Sequence, residues 1–196
     1  MKNISFYISI PLIITSFAFG NNLNAATYPY TGFSFGQATI EDACESSGLS
    51  VVSCEDSDTL FKVYGGAKLH RNLALELAYV DMGKSVVKDN VDTLTIEATG
   101  LNASVSGIIP ASSNIDMFGK VGLIYWESEK SSSGVSNGTI ASSEGVDVTF
   151  GFGANFGISR TLALRAEYER FRKVGGELTT GESAVTLITL GVSLYF

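Results

Sequence analysis

After its first 25 residues the chain has no apolar run approaching the 18 or more residues that a membrane helix requires. Crossing a bilayer with helices is therefore excluded. Histidine occurs once, at His70, so no imidazole-based metal site and no histidine-dependent nucleophile can be assembled around it. Cysteine occurs twice, as Cys44 and Cys54 in one polar segment. Lys and Arg number 13 against 20 acids, for a net charge of −7. A surface of that sign lacks the basic stripe that nucleic acid needs. Of the 3 prolines, Pro29 stands at the start of a periodic stretch, where a strand tolerates it, and Pro110 stands in a turn.

What the chain has instead is alternation. Hydrophobic residues make up 45% of it, with 21 Gly, 12 Phe and 8 Tyr, and mean hydropathy is +0.22. Spread singly over a soluble surface, such residues cause aggregation. Facing lipid they are at home, because a closed sheet satisfies every backbone N–H and C=O internally and presents side chains to hydrocarbon. Residues 1–25 read as a cleavable leader: Lys2, an apolar core from Ile8 to Phe19, and Leu23-Asn24-Ala25 as a small-residue cleavage site, with cleavage after Ala26 nearly as good. Residues 26–196 then form one domain, of a size suited to a single barrel. Export to an oxidising compartment predicts that Cys44 and Cys54 close a disulfide loop, worth roughly 2–3 kcal/mol through the unfolded chain.

Period-two patterning predicts eight strands: 28–38, 59–69, 73–83, 92–109, 115–127, 146–158, 162–172 and 183–196. Phe33 and Phe35 oppose Gly32, Ser34 and Gly36. Leu73, Leu75, Leu77 and Tyr79 oppose Ala74, Glu76 and Ala78. Phe150, Phe152 and Phe156 oppose Gly151, Gly153, Asn155 and Gly157. The connections alternate between long and short, with 39–58 and 128–144 as the longest loops, and that alternation is the mark of an up-and-down outer-membrane barrel. Ten residues at ~3.3 Å rise and ~45° tilt climb roughly 23 Å, matching the apolar band of such a barrel. The fold class is therefore all-β, an eight-stranded antiparallel transmembrane barrel. The stretches L-H-R-N-L-A-L-E-L-A-Y (69–79) and I-S-R-T-L-A-L-R-A-E-Y (158–168) align without a gap, one hairpin design used twice.

The last strand places Leu190, Val192, Leu194 and Phe196 on one face and Thr189, Gly191, Ser193 and Tyr195 on the other. It resembles the C-terminal signal strand of Gram-negative outer-membrane barrels. That resemblance implies that Leu190, Val192, Leu194, Tyr195 and Phe196 are read by the barrel-assembly machinery. Y-T-G-F-S-F-G (30–36), G-G-A-K-L (65–69), F-G-F-G-A-N-F-G-I-S-R-T-L-A-L-R-A-E-Y (150–168) and L-G-V-S-L-Y-F (190–196) together resemble the eight-stranded transmembrane domain of the OmpA-like family. Full-length OmpA carries a peptidoglycan-binding domain after the barrel, and with the chain ending at Phe196 a wall anchor is not implied. Parity gathers Lys62, Lys68, Glu76, Lys120, Arg165 and Glu167 on the lumen side, with Tyr64, Trp126 and Tyr195 as filling. The resemblance matches Lys120, Arg165 and Glu167 to a lumen salt-bridge network, to which parity adds Lys62 and Glu76, and sets Asn155 where the family pattern has an acid.

The glycines of 151–157 do not have dinucleotide-loop spacing and alternate with strand period, so no cofactor is expected. Three function classes follow. The first is a non-catalytic, monomeric outer-membrane protein that displays loops for adhesion, envelope integrity, or host or phage contact. The second is a narrow channel or a carrier of small apolar molecules. The third is an envelope enzyme, since lipid A-modifying enzymes also occur on eight-stranded barrels, but their rim chemistry resembles histidine catalysis and His70 belongs to a short turn. The expected partners are outer-membrane lipid and lipopolysaccharide. The first long loop holds Glu41, Asp42, Glu45, Glu55, Asp56 and Asp58 with no base, which suits divalent bridging to lipopolysaccharide phosphates or simple solvation.

Overall fold

The computed structural model describes residues 28–40, 53–55, 57–88, 93–133, 138–174 and 183–196. The leader and Cys44 lie outside the described residues, and of Cys54 only the backbone is described. Among the described residues there are nine strands: β1 (Tyr28–Ile40), β2 (Ser53–Glu55), β3 (Ser57–His70), β4 (Leu73–Lys88), β5 (Thr93–Pro110), β6 (Ile115–Ser133), β7 (Gly138–Gly157), β8 (Leu162–Val174) and β9 (Ser183–Tyr195). Eight of them form a ring, each antiparallel to the next, and β1 closes it against β9 from Tyr30↔Tyr195 to Ile40↔Val185. The ninth, β2, pairs with the far end of β4 (Ser53↔Lys88) on the edge that β3 uses nearer the short turn, so it prolongs that ladder of the ring.

The two-residue period that makes these segments strands also sorts their side chains between lipid and lumen. Leu77, Leu101, Phe152, Ile188 and Leu190, each at least 60% exposed, belong to a continuous outward apolar belt. Phe33, Phe35 and Phe61 extend it as a ring cluster with centroids 5.9 and 5.0 Å apart. The short turns 71–72, 111–114 and 158–161 lie with Tyr28 and Phe196 at one end of the barrel. The longer connections lie at the other. One short turn is fixed by Ser159, whose Oγ accepts from the amides of Thr161 (3.2 Å) and Leu162 (3.1 Å).

Two expectations are corrected by the structure. The Ser-rich stretch 128–144, read as loop, is largely ladder: β6 and β7 stay paired from Ile115↔Phe156 out to Ser132↔Gly138. Past the apolar band both faces meet polar surroundings, so the ladder continues without the alternation that reveals a strand. β4 likewise runs on to Lys88 through a bulge between Asp81 and Lys84. Gly83 occupies that bulge at φ 76°, where a side chain would be strained, and its amide donates to Asp81 Oδ1 at 3.0 Å.

The lumen is layered along its axis. Near the long-connection end, Leu60, Val80, Ile124, Phe171, Val185 and Leu187 point inward and are at most 2% exposed, with Ala38, Met82 and Trp126 beside them. Below this apolar layer come charged residues. Toward the short-turn end the aromatic rings of Tyr30, Tyr64, Phe118 and Tyr195 follow.

Candidate functional site

The charged layer is built by four strands. β3 supplies Lys62, β4 Glu76 and β6 Lys120. β8 supplies Arg165, Glu167 and Glu169, which alternate with outward Leu164, Ala166 and Tyr168. The six side chains are almost completely buried, and their three cations and three carboxylates balance.

Arg165 forks onto Glu76, with Nη1 to Oε2 at 2.7 Å and Nη2 to Oε1 at 3.2 Å, while its Nε reaches Glu167 Oε2 at 3.1 Å. Lys62 Nζ donates to Glu167 Oε2 (3.1 Å) and Glu169 Oε2 (2.7 Å). Lys120 Nζ pairs with Glu167, with Glu169 Oε1 at 2.8 Å and with Glu76 Oε1 at 3.6 Å. Each of the six groups therefore faces at least two of opposite sign. Such sharing is what makes so many buried charges tolerable, because one lone charge in a space of low polarity is strongly destabilising. Tyr30 adds a neutral donor to Glu76 Oε2 at 2.9 Å. The guanidinium of Arg165 lies between the rings of Tyr64 (4.6 Å) and Phe118 (4.4 Å), an orientation that favours the cation over either ring face. Tyr64 is held in turn by Ser193 Oγ at 2.8 Å and by donation to the Val192 carbonyl at 3.2 Å. Gly32 leaves room for that phenol, since a Cβ there would overlap it.

The structure thus brings Lys62, Glu76, Lys120, Arg165 and Glu167 together. It separates Lys68, which pairs with Asp116 at 3.1 Å and lies 5.0 Å from the Tyr195 ring centroid near the short-turn end. Asn155 is buried beside Arg165, its cross-strand partner. Sequence reasoning missed Glu169, although parity would have found it two residues beyond Glu167. It also missed Tyr30, whose hydrogen bond to Glu76 depends on ring closure. On β9, Leu190, Leu194 and Phe196 point outward, Val192 is half-buried, and Tyr195 turns to the lumen against Tyr30, with ring centroids 5.6 Å apart. The Phe196 amide donates to the Pro29 carbonyl at 3.0 Å, which carries the β1–β9 seam to the end of the chain.

Chemically, the cluster pins strands that are not neighbours in the ladder, and its charged groups are all engaged with one another. His70, the last residue of β3, is exposed, and its Nδ1 accepts from the Asn72 amide at 3.4 Å. Among the described residues no group of three or more His, Cys, Asp or Glu is placed to hold a metal.

The family model of the OmpA-like transmembrane domain matches residues 24–196. Outer membrane protein A of Klebsiella pneumoniae is 26% identical over 136 residues, which cover 68% of this chain and 40% of the relative. Outer membrane protein P5 of Haemophilus influenzae is 26% identical over 181 residues, 85% of this chain and 51% of the relative. The chain spans about half the length of these relatives or less. Among solved structures, Ail, the attachment invasion locus protein of Yersinia pestis, has a similar fold at TM-score 0.57 and 11% identity, over 86% of this chain and 98% of that one. Ail in complex with the heparin analogue sucrose octasulfate gives TM-score 0.56 at 11% identity, over 87% and 99%. Neisserial surface protein A gives TM-score 0.57 at 14% identity, over 87% and 97%.

Arg165→Ala removes both strong partners of the fork and leaves Glu76 with Lys120 at 3.6 Å and Tyr30 as its remaining contacts. The expected loss is about 3–5 kcal/mol in urea unfolding of the vesicle-inserted barrel. Arg165→Met combined with Glu76→Leu removes the pair as a unit and should recover most of that loss. A double variant as unstable as the single one would show that the pairing is not what matters.

Proposed function

Because the chain belongs to the OmpA-like transmembrane domain family and forms an outer-membrane β-barrel, we propose that it is a non-catalytic structural and interaction protein. In this reading the barrel is a closed support, and function is carried by its long connections. The observation that carries it is the filled lumen: six mutually paired charges lie under an apolar layer whose members are at most 2% exposed. An eight-stranded ring encloses only enough space for side chains, and here both layers use it. The single histidine, exposed at the end of β3, argues against an envelope enzyme.

Charge distribution indicates what the connections contact. Residues 39–58, 84–92, 128–144 and 173–182 hold four bases and twelve acids, while the rest of the chain after the leader holds eight of each. All the net charge of the exported chain therefore sits at the long-connection end, and it is negative. Ail has been solved with a sulfated glycan analogue. The acidic connections of this chain favour the opposite sign, a basic protein surface on a host or phage, or lipopolysaccharide phosphates bridged by divalent cations. Barrels in nanodiscs should bind a lysine-rich surface and ignore a heparin surface at low salt, and the binding should fade as salt approaches the screening regime. Preferential capture by heparin would reverse the assignment.

Closure has its own test. Wild-type protein in planar bilayers should show little or no steady conductance, and a large stable channel would make the support reading untenable and favour the pore. The terminal strand is proposed as the assembly signal from its resemblance to such signal strands, a reading that its closure of the ring against β1 supports. Deleting Phe196, or making Phe196→Asp, should block outer-membrane insertion while the protein still reaches the periplasm. Normal insertion of the Asp variant would remove that assignment.

A further inference from the structure

The densest run of bases in the chain, Arg170-Phe171-Arg172-Lys173, lies at the long-connection end of β8. It is not among the cations of the lumen network, which are Lys62, Lys120 and Arg165. Parity sorts the run. Phe171 points inward and is fully buried, so Arg170 and Arg172 take the outward face, about 7 Å apart along the strand. Arg170 is half-buried and already engaged, while Arg172 is exposed and makes no ion pair among the described residues. The β8–β9 ladder, regular from Leu162↔Leu194 to Phe171↔Val185, shifts register before Val174↔Ser183. Arg172 and Lys173 there face the single residue Ala184, the two-against-one count of a bulge, which can re-aim a side chain.

Height places the two arginines at the edge of the lipid. Arg172 stands ten residues above Leu162, the first residue of β8, and at ~3.3 Å rise and ~45° tilt that climbs roughly 23 Å, about the height of the apolar band. Long connections of such barrels face outward from the cell, so the adjoining leaflet is the outer one. Directly beneath lies an aromatic strip: Tyr168 stacks on Phe152 with ring centroids 5.1 Å apart, and Phe150 is the cross-strand partner of Arg170. The sideways neighbours are neutral. Thr186 pairs with Arg170 from β9, and neither β9 nor β1 contains a charged residue. The outward rim of β5, β6 and β7 is of the other sign, with Glu97, Glu127, Glu129 and Glu144 exposed, and there Lys84 of β4 is held by Glu97 at 2.6 Å. An anion at the rim is therefore repelled from one sector and drawn to β8.

We propose that Arg170 and Arg172, with the strip of Phe150, Phe152 and Tyr168 beneath them, form a site on the barrel wall for a phosphorylated glycolipid of the outer leaflet. Its phosphates accept hydrogen bonds from the guanidinium groups, whose forked donors match phosphate oxygens, and its acyl chains lie along the aromatic strip. A free anion would use the arginines alone, whereas a ligand with both phosphate and hydrocarbon uses the whole surface. The contact is direct and needs no divalent cation, unlike bridging by the acidic connections. It rests on the outer-membrane placement of the barrel and is independent of what the long connections bind.

Native mass spectrometry of the exported chain in detergent, with lipid A carrying both phosphates added in the presence of EDTA, reads the site. Wild-type protein should retain the lipid, and Arg170→Gln combined with Arg172→Gln should weaken retention about tenfold or more. Lipid A stripped of its phosphates should bind wild-type protein no better than the intact lipid binds the double variant. Lys84→Gln, which removes another base of the same rim, should leave retention unchanged. Equal retention by wild-type protein and the double variant overturns the proposal, as does an equal loss in Lys84→Gln, which would reduce the effect to net charge. Retention that EDTA abolishes also overturns it, moving the lipid to the acidic connections and leaving that reading intact. Displacement by inorganic phosphate would mean a site for a free anion, and equal retention of phosphatidylglycerol a site for any anionic lipid; either sinks the glycolipid assignment. Folding of each variant is checked by its heat-dependent gel shift. If the double variant does not fold, Arg172→Gln alone replaces it, with a smaller loss in the same direction expected and unchanged retention overturning the site.

Discussion

A backbone that crosses hydrocarbon has no water to satisfy its N–H and C=O groups, so every one must find a partner within the protein. For strands this means a ring without edges, and the β1–β9 seam from Tyr30↔Tyr195 to Ile40↔Val185 is where the ring closes. The rest of the molecule follows from that closure. Eight strands fix a lumen that side chains must fill, and alternation assigns every second residue to filling it. What the chain places there is a choice among packings, and it uses two at different depths.

A charged layer is not the obvious choice for stability. Well-packed apolar residues of similar volume often do as well as a buried ion network or better. The advantage of charge lies in register. Shifting a strand by one residue exchanges its lumen and lipid faces. For β8 such a slip would turn Arg165, Glu167 and Glu169 toward hydrocarbon, where a midplane Arg or Lys costs about 2–4 kcal/mol and an acid somewhat less. It would also leave Lys62 without its partners and Glu76 and Lys120 with only each other in the network. An all-apolar lumen carries no such penalty, because Leu and Val are acceptable on either face. The cluster therefore discriminates against misregistered rings more than it adds to the correct one.

That logic also explains what could be read from the sequence. Where one face must be apolar and the other must not, as in Leu164 to Glu169, alternation is sharp and both the strand and the lumen charges are legible. Near the long connections the lumen face is itself apolar. In Val185-Thr186-Leu187-Ile188 both parities carry aliphatic residues, so the inward layer of Val185 and Leu187 has no signature. Beyond the bilayer neither face is constrained, and the paired extensions of β6 and β7 look like loop. The pairing of Glu76 with Arg165, 89 residues apart, depends on ring closure across the lumen and has no local trace at all.

The layering also separates the stability of the barrel from the identity of its connections. All six central charges are satisfied by residues of the strands themselves, and the apolar layer stands between them and the long-connection end. A changed connection therefore has no buried charge to leave unpaired, which is the kind of loss that costs several kcal/mol. The balanced body and the acidic periphery reflect the same division: twelve bases meet twelve acids in the strands and short turns, and the excess of acid is confined to the remaining segments. Sequence can vary there at little cost to the ring. A barrel built this way presents a surface that evolution can rewrite without reopening the question of how the strands find their register.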